Sequence, residues 1–359
     1  MKKVNAILIV LLTLSLVACS TVTPPPPSPV QLAEEVVFYD WDADIPQAVL
    51  DAFAAEFGVQ VRYEVYESQT EAIENMRAGE QFDVVVMDSH WIPMLVEEGL
   101  VAELDYANLP NARNLSANFR HLAYDPDNLH SIPFNWGTTG LLVRSDLVGE
   151  PVTSWNALFD PRYTGKVGIW VDMPRETIAA ALKSLGYSAN SENPAELEAA
   201  LARLLKLSPH ALILEDYDDV TSAGVINSGQ AVIALAWALD VFEAHSDDLS
   251  PAVYVLPEEG ALMWTDAFVV PSNSPNKYTA EVFLNFLLRP EIAAQIVHFN
   301  NYATANEAAL AHIDEELLND PVIFPPNADL LNAEIILPLS PLVEELYDAV
   351  WVRFLEAIP

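Results

Sequence analysis

The body of the chain alternates short apolar runs with segments whose apolar residues recur every three or four positions. Residues 36–39 form the first strand-like run, and the segment that begins at Pro46 places Val49, Phe53 and Phe57 on one helical face. Further strands are predicted at 59–66, 82–87, 140–143, 167–170, 211–214, 231–236, 252–256 and 267–270. Further helices are predicted at 70–78, 94–98, 153–159, 175–185, 195–206, 278–287, 290–299 and 341–357. Strands that alternate with helices in this way indicate an α/β fold.

The first residues differ from this body and indicate export. Lys2 and Lys3 precede an apolar segment at 6–16, which is too short to span a bilayer. The string Leu16-Val17-Ala18-Cys19 then resembles a bacterial lipobox, in which the bond before the cysteine is cleaved and the cysteine is lipidated. We therefore expect a lipoprotein signal peptide at 1–19 and a membrane anchor on Cys19. An ordinary signal peptide with an incidental cysteine is the alternative.

The segment at 20–35 contains a run of prolines and is predicted to be an extended, semi-rigid tether between the anchor and the body. No second apolar run is long enough to cross a bilayer. Because Cys19 is the sole cysteine, an intramolecular disulfide and a cysteine-rich metal site are both excluded.

The composition is strongly acidic, with 52 Asp and Glu residues against 16 Lys and Arg residues. Such a chain repels phosphates, so we expect no nucleic-acid partner. A negative field attracts cationic ligands instead. Solubility or adaptation to salt explains the same composition equally well, and composition alone does not separate these explanations.

Three tryptophans lie near carboxylates beside strand-like runs. Trp41 is flanked by acids, Trp237 precedes Asp240, and Trp264 precedes Asp266. In open α/β sheets ligands bind at strand ends, an indole face attracts a cation, and a carboxylate binds an ammonium group. For any one pair, a core tryptophan and a helix-capping aspartate is the simpler interpretation. Three such pairs together favour a site for an organic cation.

Sequence motifs for other chemistries are absent from the chain. It has no G-x-G-x-x-G or Walker motif, no G-x-S-x-G motif and no H-E-x-x-H motif. The seven histidines are scattered, and only His90 lies next to a segment expected to form a site. No cofactor is therefore implied.

Several strings resemble the spermidine/putrescine receptors of bacterial ABC importers. The opening strings are Phe38-Tyr39-Asp40-Trp41, Tyr66-Glu67-Ser68 and Asp83-Val84-Val85-Val86. The later strings are Ser131-Ile132-Pro133-Phe134-Asn135-Trp136-Gly137, Thr153-Ser154-Trp155, Leu185-Gly186-Tyr187-Ser188 and Asn285-Phe286-Leu287-Leu288-Arg289-Pro290. Together they cover nearly the whole chain after residue 36. The resemblance implies a type II periplasmic-binding-protein fold with a ligand cleft between two α/β lobes. It implies a first lobe at 36–140 plus 266–308 and a second lobe at 141–265 plus 309–359.

The resemblance also implies which side chains contact the ligand. They are aromatic, hydroxyl and charged residues around the cleft: Trp41, Asp42, Ser89, His90, Glu176, Trp237, Asp240, Trp264, Asp266 and Tyr302. Among them Asp266 matches the acid that binds a terminal ammonium, and Glu176 matches a carboxylate that meets an amine. Glu176 also suits the first turn of a helix, and Asp266 suits a buried hinge acid.

The chain departs from the receptor pattern at positions that bear on the ligand. Met173 stands where spermidine-type members carry an aspartate, and Asp44 stands where an aromatic residue is usual. Asp240 matches an acid of the putrescine-type pattern. A diamine therefore fits better than spermidine, although Asp42 or Asp44 can supply the missing charge.

The resulting prediction is a receptor without enzymatic activity that delivers a polyamine, putrescine rather than spermidine, to an ABC permease and its ATPase. The resemblance implies a monomer in the periplasm or on the outer cell surface, lipid-anchored through Cys19. Paired carboxylates and tryptophan platforms also occur in glycoside hydrolases, which are the alternative from another class. A receptor of the same fold for another small solute is the third interpretation.

Overall fold

The structure, a computed structural model, describes residues 31–209, 211–215, 220–246 and 250–358. The predicted signal peptide, Cys19 and most of the Pro-rich tether lie outside these ranges, so those predictions stay predictions. Within the ranges, no helix combines the length and the apolar character that crossing a membrane requires.

The described residues form eleven strands that belong to one sheet. They are β1 (Glu35–Asp40), β2 (Gln60–Val65), β3 (Val84–Asp88), β4 (Ser131–Arg144), β5 (Val167–Trp170), β6 (Ala211–Leu214), β7 (Ile233–Trp237), β8 (Ala252–Val255), β9 (Leu262–Val269), β10 (Ala303–Thr304) and β11 (Glu334–Ile335). The α-helices of the same ranges are α1 (Gln47–Phe57), α2 (Gln69–Ala78), α3 (Ile92–Glu97), α4 (Pro174–Ser184), α5 (Pro194–Leu207), α6 (Ser222–Asn227), α7 (Asp240–Ala244), α8 (Lys277–Leu287), α9 (Pro290–Asn300), α10 (Glu315–Leu318) and α11 (Pro341–Glu356). Most predicted elements are therefore present within a few residues of their predicted bounds.

Local sequence explains where the first helices begin and end. Helix α1 follows Pro46 and ends at Gly58, whose φ of 70° favours glycine. Helix α2 begins at the Ser68 side chain, which accepts a hydrogen bond from the Glu71 backbone N–H. These short capped helices return the chain to the sheet between successive parallel strands.

The sheet has two parallel halves joined by antiparallel strands. The strand order is β2-β1-β3-β9-β4-β7-β5-β6. Strands β1, β2 and β3 are parallel to one another, and so are β5, β6 and β7. The long strands β4 and β9 pair antiparallel in the middle and link the two halves. The ligand cleft predicted between the halves therefore has β4 and β9 in its floor.

The predicted bounds of these two linking strands are wrong. Only the end of β4 was predicted, because Pro133 interrupts the pattern and lies where the β4–β9 register shifts. Trp264 and Asp266, expected before a strand, lie inside β9. They are therefore held by the pairing of a strand with neighbours on both sides rather than by a loop.

Separate hydrophobic cores fill the two halves. One half contains two cores, from residues in the range 36–134 and in the range 267–305, and we call it the first lobe. The other half contains a single large core from residues in 141–262 and 336–354, and we call it the second lobe. Residues around 309–324 pack against α9 in a further small core. The predicted lobe boundaries remain predictions.

Candidate ligand-binding site

The end of β3 and the middle of β9 bring carboxylates of the first lobe together. Asp88 and Asp266 are register partners on these adjacent antiparallel strands. Asp266 is only 8% exposed. Burial raises the pKa of Asp266 well above its usual range, and the nearby charges of Asp88 and Asp44 raise it further. The predicted ammonium-binding acid is thus a buried carboxyl group surrounded by other acids.

Two further buried carboxylates lie at the end of β1 and just after it. Asp40 is 0% exposed, and Asp44 is 5% exposed. Burial raises the pKa of Asp40 strongly, and Asp44 adds to the increase, although the Trp41 backbone N–H donates a 2.8 Å hydrogen bond to Asp40 Oδ1. Burial also raises the pKa of Asp44 to about 7, against the lowering effect of Asn135 and Asn300. Sequence reasoning missed Asp40 as a site residue and treated Asp44 only as a departure from the family pattern.

These three acids have no cationic partner in the part of the chain that the structure describes. None of the ion pairs there includes Asp40, Asp44 or Asp266. Burying a charge without a partner costs several kcal/mol, so a buried carboxylate becomes protonated or binds a cation. The arrangement can therefore bind a ligand with positively charged groups.

Ser89 and His90 lie in the short 3₁₀ turn Ser89–Trp91 that follows β3. Ser89 Oγ is buried and makes no hydrogen bond to the described residues, so it can accept one from a ligand. His90 Nδ1 lies 3.0 Å from Asp88 Oδ1. Burial lowers the pKa of His90, but Asp88 raises it by more, and the result lies above its ordinary value.

Glu176 faces this turn from the second lobe. It lies in the first turn of α4, whose N-cap is Met173. Burial raises the pKa of Glu176 above its ordinary value, against the lowering effect of its own backbone N–H; Asp88 raises it as well, and the charges of His90 and Arg175 lower it in part. The helix-terminus interpretation therefore applies to Glu176, and the same geometry brings its carboxylate near His90 of the first lobe.

Trp237 and Asp240 form the second-lobe wall near the end of β7. Trp237 is the last residue of β7, and Asp240 is the first residue of α7. The Trp237 backbone N–H donates a 2.6 Å hydrogen bond to Asp240 Oδ2. One oxygen of this predicted ligand acid is thus used in the turn between β7 and α7, whereas the N-cap of α7 is Leu239, so Asp240 does not cap the helix.

Trp264 and Tyr302 lie edge to face, with ring centroids 5.1 Å apart. Trp264 packs flat on Gly137 of β4, where any Cβ would clash with the indole. Burial raises the pKa of Tyr302, and the charges of Asp44, Asp266 and Asp240 raise it further. Tyr302 therefore lies close to carboxylates of both lobes.

Trp41 and Asp42 have different surroundings although they are adjacent. Trp41 is half-buried and meets Tyr66 edge to face, with ring centroids 4.6 Å apart. Asp42 is exposed, so the structure does not bring it into the group of buried acids. Met173, the residue that replaces an acid of spermidine-type receptors, is 2% exposed and belongs to the second-lobe core.

Comparisons with known proteins agree with this geometry. The family model of bacterial extracellular solute-binding proteins matches residues 48–325. Over 300 residues the chain is 33% identical to the spermidine/putrescine-binding periplasmic protein of Escherichia coli (strain K12), which covers 83% of this chain and 85% of that protein. Over 305 residues it is 32% identical to the putrescine-binding periplasmic protein SpuD of Pseudomonas aeruginosa (strain UCBPP-PA14), with 80% and 82% covered.

A solved structure shows the same architecture. The spermidine/putrescine ABC transporter substrate-binding protein PotD from Streptococcus pneumoniae superposes with a TM-score of 0.81 at 27% identity, covering 90% of this chain and 99% of that chain. The predicted two-lobed type II fold is therefore confirmed. The members of this family bind solutes and are not enzymes, which decides against the glycoside hydrolase alternative. The chain belongs to the bacterial extracellular solute-binding proteins, as its resemblance to the spermidine/putrescine receptors predicted.

Proposed function

We propose that this protein binds a polyamine, with putrescine preferred to spermidine, and delivers it to the permease and ATPase of an ABC importer. The observation that carries the proposal is the group of buried acids Asp40, Asp44 and Asp266, which have no basic partner within the described ranges. A polyamine supplies the missing positive charges at fixed spacing. The names of the curated relatives, which bind spermidine or putrescine, support the same ligand class.

In this proposal the ligand lies between the lobes with one ammonium group at Asp266. Trp264 and Trp41 line the path from the first lobe, and Trp237 lines it from the second. Their rings cover the methylene groups and attract the cationic ends. Asp240 and Glu176 meet the other amine. Closure of the lobes excludes water, so each charged hydrogen bond becomes stronger.

The preference for a diamine follows from the place of Met173. A third amine requires its own acceptor, and a thioether in an apolar core is a weak one. A diamine is satisfied by the carboxylates at the two ends of the cleft. A Met173→Asp substitution is a poor test of this preference, because it puts an unpaired carboxylate into the second-lobe core.

We also propose that the protein is a monomer held on the membrane by acyl chains on Cys19. The lipobox-like string at 16–19 supports this proposal. Two or more acyl chains hold a protein on a bilayer far better than one. Cys19→Ala is expected to abolish labelling with radioactive palmitate and to release the protein from membranes. Wild-type protein that carries no lipid on Cys19 would contradict the proposal.

Calorimetric titration of the purified protein with putrescine, spermidine, agmatine and a panel of neutral sugars tests the proposed ligand class. We expect stoichiometric binding of the amines, with putrescine tightest, and no heat from the sugars. Tighter binding of spermidine than of putrescine would overturn the proposed preference for putrescine but not the proposal that the ligand is a polyamine. Binding of a sugar and of none of the amines would overturn the polyamine proposal and favour a receptor for another solute.

A further inference from the structure

Asp44 has a buried carboxyl group. The resemblance to the spermidine/putrescine receptors predicts an aromatic residue at this position. Asp44 follows β1 and Trp41 in the chain. It lies near Asp40 and Asp266, since its charge raises the pKa of both acids. The Asn300 side chain donates a 3.2 Å hydrogen bond to its backbone oxygen. Asp44 is therefore held in place by its backbone while its carboxyl group faces other acids.

Asn135 provides an independent observation at the same place. It is 2% exposed, and its amide oxygen accepts no hydrogen bond from the residues that the structure describes. Its amide nitrogen lies close enough to the Asp44 carboxyl group to lower the pKa of that group as a hydrogen-bond donor. Asn135, Asn300 and Tyr302 also line a cavity of about 20 Å³, which has room for one water molecule. A buried amide oxygen without a donor is costly, and an ammonium group beside Asp44 would supply that donor.

The charged and titratable groups around Asp44 come from several elements. They are Asp40 at the end of β1, the phenol groups of Tyr63 on β2 and Tyr66 after it, Asp266 on β9, and Tyr302 after α9. All of them are acids or phenols, and no lysine, arginine or histidine of the described ranges is among them. Asn135 and Asn300 lower the pKa of Asp44 only in part, and no cationic side chain of the described ranges is there to neutralise its charge, so an incoming cation supplies the missing positive charge.

We propose that Asp44 and Asp266 share one terminal ammonium group of the ligand, and that Asp44 gives up a proton when this group enters. This inference rests on the proposed polyamine function and names a further specificity-determining residue of the same site. The O–H bond of the Asp44 carboxylic acid breaks, its proton passes to solvent, and the carboxylate accepts a hydrogen bond from the ammonium.

The direction of the linked pH effect follows from burial. Because burial raises the pKa of Asp44 to about 7, the empty site holds this proton below neutral pH. Binding must then remove the proton, so affinity rises with pH up to about pH 7–8 and levels off above it. For one linked proton the rise approaches about tenfold per pH unit below the pKa.

Calorimetry with putrescine in two buffers of different ionisation enthalpy tests the inference. Wild-type protein at pH 6.5 is expected to release protons on binding, and its affinity is expected to rise between pH 5.5 and 8. Asp44→Asn is expected to weaken binding at pH 8 by at least about tenfold. It should also release fewer protons, by up to one per ligand. His90 is retained in both proteins, so the difference between them reports on Asp44.

Two variants serve as comparisons. Asp44→Tyr restores the aromatic residue of the receptor pattern and is expected to bind putrescine with the reduced proton release of Asp44→Asn. Asp51→Asn changes an exposed carboxylate that contacts Gln47 on α1, and it should behave as wild type. Equal affinity and equal proton release in wild type and Asp44→Asn would overturn the inference and leave the polyamine proposal intact. Wild-type protein that binds none of the amines would overturn the polyamine proposal itself.

Discussion

The acids on the two sides of the site differ in how much of their hydrogen-bonding capacity the protein already uses. In the first lobe, Asp266 and Asp44 are buried among other acids, and their charged forms are destabilised. In the second lobe, Asp240 accepts a backbone hydrogen bond, and burial raises the pKa of Glu176 as well, but its helix N-terminus, His90 and Arg175 oppose that increase. The requirement for a cation is therefore concentrated in the first lobe.

This difference suggests separate tasks for the two lobes. A carboxylate without a partner contributes most when a ligand brings the missing charge, since the empty state has the full cost of burial. A carboxylate that is already hydrogen-bonded changes less on binding and acts more as a fixed wall. Substitutions in the first lobe should then lower affinity more than equivalent substitutions in the second lobe.

The largest effect is expected from Asp266→Asn. A charged hydrogen bond contributes about 1.5–3 kcal/mol, so putrescine affinity should fall by at least about tenfold. The melting temperature of the empty protein should rise, because the variant removes a buried carboxyl group whose charged form is destabilised by burial and by Asp88 and Asp44. Calorimetry and thermal melting measure the two effects. Unchanged affinity would remove Asp266 from the site.

Asp83→Asn is the matched control for that variant. Asp83 is also a buried acid of the first lobe, but it accepts hydrogen bonds from Val37 N, Ser274 Oγ and Asn276 Nδ2. Its replacement should lower the unfolding free energy by about 1–3 kcal/mol, and with it the melting temperature, and leave affinity unchanged. The two variants thus separate an acid that serves the ligand from one that serves the fold.

The next effect concerns Trp264, which is proposed to contact the ligand in the cleft. Gly137→Ala places a Cβ against the Trp264 indole and should displace it, weakening putrescine binding by about three- to tenfold. Gly149→Ala is the control, because a Cβ there meets no atom within 4 Å. If both alanine variants bind as wild type does, Trp264 does not contact the ligand as proposed.

A smaller effect is expected from Asp240→Asn in the second lobe. The amide oxygen of asparagine can still accept the hydrogen bond from Trp237 N, so the turn is retained. Affinity should fall by less than in Asp266→Asn, by a factor of about two to five. A larger loss than that of Asp266→Asn would reverse the proposed difference between the lobes.

The last effect is on the stability of the empty protein and does not involve the ligand. Because the pKa of Asp44 is raised to about 7 in the folded state, wild-type protein loses stability relative to Asp44→Asn as the pH rises from about 4 to about 7. Above that range the difference should be constant. Melting curves of the two proteins across pH measure it, and a difference that does not change with pH would contradict the burial of this group.

Local patterns predicted the elements well, and long-range pairing explains what they missed. The bounds of α1 and β1 follow from nearby apolar spacing, from Pro46 and from Gly58. The full length of β4 does not follow from local spacing, because Pro133 and the buried polar residues after it interrupt the apolar pattern of the strand. Only pairing with β9, far along the chain, makes that segment a strand.

The tryptophan–carboxylate pattern predicted part of the site and the resemblance predicted the rest, but the chemistry of the site depends on burial that sequence does not show. Trp264 and Asp266 were selected as a pair, yet their place inside β9 follows from tertiary pairing. Asp40 looked like an ordinary residue at a strand end. Asp40 is buried beside Tyr63 and Asp44, and neither neighbour brings a positive charge. No local sequence signal reveals this tertiary packing.

The central claim is that the first-lobe acids bind the positive charges of the ligand. Competition between putrescine and 1,4-butanediol tests it most directly, since the two molecules have the same carbon chain and differ in their charged ends. We predict that putrescine binds with a stoichiometry of one and that the diol neither binds nor competes at millimolar concentration. Binding of the diol with an affinity similar to that of the diamine would contradict the account.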